Sequence, residues 1–153
     1  MPWVFNHTLL ASLLVTTCSC APKTLKTLET IADARIHKAS FIDLGEPGDS
    51  VGDILTFDQP LLDKQGKQIG NNSGICIRTK VGESFQCQWT LILDEGSIQV
   101  AGREMDKGKS DIAIVGGTGQ YQGISGQMES INNGDGTFTQ TLHYRLDGFG
   151  ADD

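Results

Sequence analysis

Few side chains in this chain combine reactive chemistry with a position that could use it. Glu104 is the first. It ends the run Ile98, Val100, Gly102, Glu104, which shares one face of an alternating segment. If that face is interior, Glu104 is a carboxylate at the end of an apolar lumen. Desolvation would then raise its pKa and make it a candidate general acid or base. The competing reading leaves Glu104 at a rim, in water, paired with Arg103 or Lys107. Cys76 and Cys87 are the second candidate. The hairpin centred near Val81-Gly82 sets them opposite each other on one face, with Cβ atoms about 4.5–5.5 Å apart. They are therefore either a cross-strand disulfide or two buried thiols. The third is Asp111-Ile-Ala-Ile-Val-Gly-Gly-Thr-Gly-Gln-Tyr-Gln-Gly-Ile-Ser-Gly126, a strand running into a glycine-rich corner. A dinucleotide site needs a helix after such a corner, its N-terminus facing the pyrophosphate. Here alternating residues and another strand follow, so the corner reads as a strand-to-strand bend in which glycine supplies positive φ or close backbone approach. No Ser-His-Asp set and no metal-spaced His/Cys cluster occurs, so neither a metal nor a cofactor is expected.

The elements that must position these groups are strands. Period-two alternation predicts strands near Lys38–Leu44, Asp53–Gln59, Asn72–Thr79, Phe85–Leu93, Ser97–Glu104, Asp111–Val115, Gly123–Ile131 and Thr137–Leu146. Turn residues separate them, such as Glu46-Pro-Gly48, Asp94-Glu-Gly96 and Asn133-Gly-Asp-Gly136. Eight short strands without helix-period segments among them imply an all-β, antiparallel barrel or sandwich. Alternation puts Phe85, Cys87, Trp89, Leu91 and Leu93 inside, and likewise Phe138, Leu142, Tyr144 and Leu146. His143 falls on the more polar face.

The chain has 153 residues and a formal net charge of −7. That length suits one domain able to bury a core. The acidic balance argues against nucleic acid as a partner. Residues 1–21 read as a secretory signal: the apolar run Leu9–Val15, then small residues. The run is too short to span a bilayer. Cys18 and Cys20 sit where the lipid-modified cysteine of a bacterial lipoprotein would follow. The alternative is an apolar segment packed on the domain. Residues 22–37 read as a tether with mild helical character, and residues 38–153 as the β-domain. On this reading the protein is exported, to the outside or to the cell envelope.

The order of several segments carries a family resemblance. Gly52-Asp-Ile-Leu-Thr-Phe-Asp-Gln-Pro-Leu61, Ser73-Gly-Ile-Cys-Ile77, Phe85-Gln-Cys-Gln-Trp-Thr-Leu91, Ile98-Gln-Val-Ala-Gly-Arg103 and Ile112-Ala-Ile-Val-Gly-Gly-Thr-Gly-Gln-Tyr-Gln-Gly123 occur in succession. Over Phe41–Arg145 this resembles the barrel shared by plant allene oxide cyclases and dirigent proteins. The resemblance implies an eight-stranded antiparallel barrel, a homotrimer, and a lumen holding an apolar small molecule. It also implies catalysis by positioning, in which a reactive substrate is held in one conformer. The cyclase pocket cysteine matches Cys76, and its water-binding asparagine falls at Gln59. Its pocket tyrosine falls at Glu104 and its first-strand glutamate near Ile42, both departures. On the dirigent side Asp58 matches the first aspartate of the Asp-Asp-Pro motif and Gly102-Arg103 the following Gly-Arg, while Ser125 replaces an arginine. Alternation lets only one of Asp58 and Gln59 face the lumen unless Pro60 introduces a bulge.

The expected site is thus Glu104 with Gln59, or Asp58 in the dirigent-like alternative, as the catalytic groups. Cys76, Cys87, Trp89, Phe57 and Tyr144 are expected to line the ligand. The expected function is to guide cyclisation or isomerisation of an apolar small molecule. The alternative is a binding module without chemistry, either a lipocalin-like carrier or a structural cell-surface domain. A catalytic Glu104 belongs inside the lumen beside a polar partner, in a cavity of several hundred Å3.

Overall fold

The computed structural model describes residues 24–147. The expected signal over 1–21, with Cys18 and Cys20, lies outside them. Nine strand segments run in chain order: β1 (Lys26–Asp33), β2 (Ser40–Ile42), β3 (Ile54–Leu62), β4 (Gln68–Lys80), β5 (Ser84–Leu93), β6 (Gly96–Met105), β7 (Lys109–Gly117), β8 (Ile124–Asn132) and β9 (Thr137–Leu146). Each pairs antiparallel with its neighbours in the order β1-β9-β8-β7-β6-β5-β4-β3-β2, and β1 closes onto β3. Both β1 and β2 lie along the same edge of β3. The pairs Ile31↔Leu62 and Ala32↔Leu61 belong to β1, and Ser40↔Thr56, Phe41↔Leu55 and Ile42↔Ile54 to β2. Together they form one interrupted stave, so the nine segments close an eight-stranded barrel.

The interruption explains one departure from the sequence reading. Residues 22–37, expected as a tether of mild helical character, contain β1. The apolar spacing of Leu28, Ile31 and Ala32 fits a helix turn taken alone. Pairing of Lys26–Asp33 with β9 along its whole length overrides that weak preference. The segment expected as a strand over Lys38–Leu44 shrinks to Ser40–Ile42. Between the two stretches, Phe57 to Pro60 of β3 have no ladder partner on that edge. Pro60, which has no N–H to donate, sits in this gap, where a proline costs a strand least. The register shift in the β3–β4 ladder comes after it, between Leu61 and Leu62. The alternation of Asp58 and Gln59 is therefore undisturbed.

The two ends of the barrel differ. At one end lie the turns between β3 and β4 and between β5 and β6, together with the glycine corner. Gly119 there has φ +59°, and a Cβ on it would stand 2.4 Å from the Glu95 carbonyl oxygen. A Cβ on Gly117 would stand 2.5 Å from the Tyr121 carbonyl oxygen. Both glycines are required by close backbone approach, as the bend reading expects. Leu91, Ile98, Val100, Met128 and Leu142 fill the adjoining lumen and have no exposed surface. At the other end lie the turns between β4 and β5, β6 and β7, and β8 and β9. Arg78 ties this end together. Its Nε donates to Asp49 Oδ1 at 2.6 Å, its Nη1 to Asp106 Oδ1 at 2.6 Å, and its guanidinium carbon lies 3.6 Å from the centre of the Phe85 ring. Asp53 is fully buried here, and its carboxylate accepts the backbone N–H groups of Leu44 and Ser50. Those bonds hold its pKa below the usual carboxylate range.

Candidate functional site in the barrel lumen

Behind the Arg78 end, the lumen is hollow. The cavity has a volume of about 80 Å3. That is below the several hundred Å3 expected from sequence, and below the range usual for drug-sized ligands. Leu55 and Phe57 of β3, Phe138 of β9 and Ala32 of β1 supply apolar wall. Phe57 packs edge-on against Trp89, with centroids 6.4 Å apart. Gly74 makes this packing possible: a Cβ there would lie 2.3 Å from Trp89 Cβ.

Polar groups interrupt the wall. Gln59, Asn72, Glu104, Ser130 and Gln140 all face the cavity. Glu104 lies on the interior face of β6, as one of the two sequence readings has it. One of the two partners offered by the other reading is engaged elsewhere: Arg103 donates to Ser84 Oγ at 2.9 Å and Glu83 Oε1 at 2.8 Å. Glu104 Oε1 accepts the Ser130 hydroxyl at 2.9 Å, while its Oε2 is buried and has no partner among the described residues. Loss of solvent pushes the Glu104 carboxyl up to about 7, against the opposing influence of the Ser130 hydrogen bond and the nearby Ser110 hydroxyl. A carboxyl poised there exchanges a proton readily near neutral pH. Gln140 Oε1 accepts the Thr30 hydroxyl at 3.2 Å, which fixes that amide in the floor of the site.

Cys76 and Cys87 form a disulfide, with Cα atoms 4.0 Å apart. They pair directly across β4 and β5, which resolves the two alternatives left by the sequence. Both face the cavity, so the bond is part of its wall.

Of the site residues expected from sequence, Glu104, Gln59, Cys76, Cys87, Trp89 and Phe57 come together in this cavity. Two do not. Asp58, the dirigent-like catalytic alternative, is exposed on the outer face and accepts the Asn71 side-chain amide at 3.2 Å. Strict alternation next to buried Gln59 forces it outward. Tyr144 points inward but belongs to the filled end. Its ring packs edge-on against Tyr121, the aromatic of the glycine corner, at 6.4 Å. It lines no part of the hollow. Asn72, Ser130 and Gln140 were not expected. Their signal was positional: Asn72 shares the face of Cys76, Ser130 that of Met128, and Gln140 that of Phe138 and Leu142.

Among the described residues, no His/Cys/Asp/Glu group is arranged to hold a metal ion, and no helix is long and apolar enough to cross a membrane.

Comparison with known proteins agrees with this architecture. No curated protein matches the chain. Among solved structures, a pyocyanin demethylase superposes with a TM-score of 0.66 at 28% identity, covering 79% of this chain and 99% of its own. A pterocarpan synthase dirigent protein gives 0.64 at 17%, covering 88% and 98%. The Diels-Alderase AbmU from Streptomyces koyangensis gives 0.67 at 18%, covering 86% and 72%. The last two share the fold. The family described as allene oxide cyclase barrel like domain matches residues 29–140. That match spans most of the chain, from within β1 to within β9, and the chain belongs to this family.

Proposed function

We propose that the hollow half of the lumen binds a small, mainly apolar molecule and steers its cyclisation or isomerisation, with Glu104 moving the proton. One observation carries this reading. Glu104 lines the lumen cavity, its Oε1 accepts from Ser130, and its buried Oε2 has no partner among the described residues. A pure carrier has no need of a desolvated carboxyl, whose burial costs stability. The rigid barrel wall, cross-linked at Cys76–Cys87, suits catalysis that works by holding one conformer. The modest cavity volume implies either a compact reactant or outward movement of Phe57 and Leu55. Export through residues 1–21 and assembly as a homotrimer remain part of the proposal.

Cyclisation and isomerisation conserve mass, and this gives the test. The protein is incubated with small-molecule extracts from its source cells, and the extracts are compared by chromatography and mass spectrometry. The expected result is a compound replaced by an isomer of equal mass but different retention, with Glu104→Gln binding the compound and leaving it unchanged. Recovery of a bound compound unaltered by the native protein would instead identify a carrier.

A second reading has its own support: the demethylase whose whole chain this one matches at 28% identity. Under it the substrate loses a methyl group, so its mass is not conserved. The same assay with added pyocyanin separates the two.

A further inference from the structure

Three buried side-chain polar atoms have no hydrogen-bond partner among the described residues: Asn72 Oδ1, Trp89 Nε1 and Glu104 Oε2. All three residues line the one lumen cavity. Asn72 is 2% exposed and Trp89 4%. Other buried polar groups are paired within the fold: Asp53 with Leu44 and Ser50, Ser84 with Arg103, Thr30 with Gln140. Buried polar groups without partners are uncommon, and each is destabilising. Residues carrying all three atoms line one cavity, where a bound molecule can supply the missing partners.

The three atoms differ in kind. An indole N–H only donates, and an amide oxygen only accepts. A carboxyl oxygen accepts when ionised and can donate when protonated. Adjacent strands present them. Trp89 on β5 pairs with Gly74 on β4, one inward position from Asn72, and with Val100 on β6, two inward positions from Glu104. The apolar wall of Phe57, Leu55 and Phe138 faces this polar set.

We propose that the lumen selects a compact ligand that is apolar over most of its surface but carries one polar end with both an acceptor, for Trp89 Nε1, and a donor, for Asn72 Oδ1 or Glu104 Oε2. A hydroxyl, or an N–H beside a carbonyl, meets this description. Hydrocarbons, ethers and simple esters do not, because they bring no donor. The inference rests on the reading of the lumen as a ligand site. It adds that Trp89 and Asn72 are specificity-determining residues and that Glu104 meets its proton on this polar end.

The test uses three single-ring probes with the full chain, each followed by fluorine NMR titration at pH 8: fluorobenzene, 4-fluoroanisole and 4-fluorophenol. They bring no strong hydrogen-bonding group, an acceptor only, and both. The expected result is binding of 4-fluorophenol about tenfold or more tighter than fluorobenzene, with 4-fluoroanisole between them. Trp89→Phe keeps an aromatic ring and deletes the donor, so it should reduce the advantage of 4-fluoroanisole over fluorobenzene to within twofold. If that variant does not fold, the series on the native chain and on Asn72→Leu decides. In Asn72→Leu, 4-fluorophenol should lose at least threefold relative to 4-fluoroanisole. Binding of all three probes within twofold of one another overturns the polar-end inference and leaves the lumen as a ligand site. Binding of none overturns both. A preference for 4-fluorophenol unchanged in both variants overturns the roles of Trp89 and Asn72.

Discussion

The two halves of this lumen are built by the same strands and do opposite things. Along β9, Leu142 and Tyr144 are packed, while Phe138 and Gln140 two positions earlier face the cavity. Along β6, Ile98 and Val100 are packed, while Glu104 is in the cavity. Along β8, Met128 gives way to Ser130. The filled half is aliphatic and pinned by glycines at its corner. The hollow half replaces aliphatic volume with amides, hydroxyls and a carboxyl. A barrel of eight strands has an interior just wide enough for side chains to fill. Shorter or polar side chains in one half therefore leave room directly. The filled half contributes apolar burial that offsets the cost of the hollow one.

The largest test of this contrast compares two positions on one strand. Leu142→Ala in the filled half should cost about 4 kcal/mol by urea unfolding, through lost burial and a new void. Gln140→Ala, beside an existing hollow, should cost about 1 kcal/mol, mainly the lost bond to Thr30. Equal costs would break the distinction between the halves.

Next comes the pH dependence of Glu104. Its folded pKa of about 7 lies above the ordinary 4.5. Folding therefore favours the protonated form, and stability from this group is complete below about pH 4.5. It is lost progressively as pH rises to about 7, by about 3 kcal/mol in all. Glu104→Gln should abolish that loss. Its melting temperature should match the native protein's at pH 4.5 and exceed it at pH 8. A constant difference across this range would mean that Glu104 is solvated.

The disulfide should come third. It closes a loop with a sequence separation of 11. The double variant Cys76→Ser, Cys87→Ser should lose about 2–3 kcal/mol by the chain-entropy estimate. Because the pair lines the cavity, the loss should be accompanied by altered binding of 4-fluorophenol, which a disulfide in the filled half would not give.

The smallest effect is expected outside the wall. Asp58→Asn changes a charge on the outer face and should alter stability by less than about 0.5 kcal/mol, leaving probe binding unchanged. A marked loss of binding would revive the dirigent-like alternative for that residue.

Much of this was legible in the chain. Period-two patterning places β3 to β9, and the centre of the β4–β5 hairpin puts Cys76 against Cys87. The glycine corner reads correctly as a bend because only the single 3-10 turn Gly119–Tyr121, and no α-helix, comes before β8. The first stave was not legible. Lys26–Asp33 is short and mixed in pattern, and it becomes a strand only because β9 and β3 offer it open ladders. Tyr144 was legible as inward but not as packed, since alternation gives the face of a residue and not its depth.

For β3 to β9 the sequence by itself determined which residues share a side of the wall, because strand geometry alternates side chains strictly between two faces. It thereby set Gln59 and Asp58 on opposite faces unless Pro60 introduced a bulge, and the structure places the register shift beyond Pro60. Only the tertiary structure decided which inward residues meet. Closure of the barrel staggers the strands, so residues far apart in sequence fall at the same depth. That is why Glu104 meets Ser130, and why the disulfide, Trp89 and Asn72 surround the same hollow while Tyr144 does not.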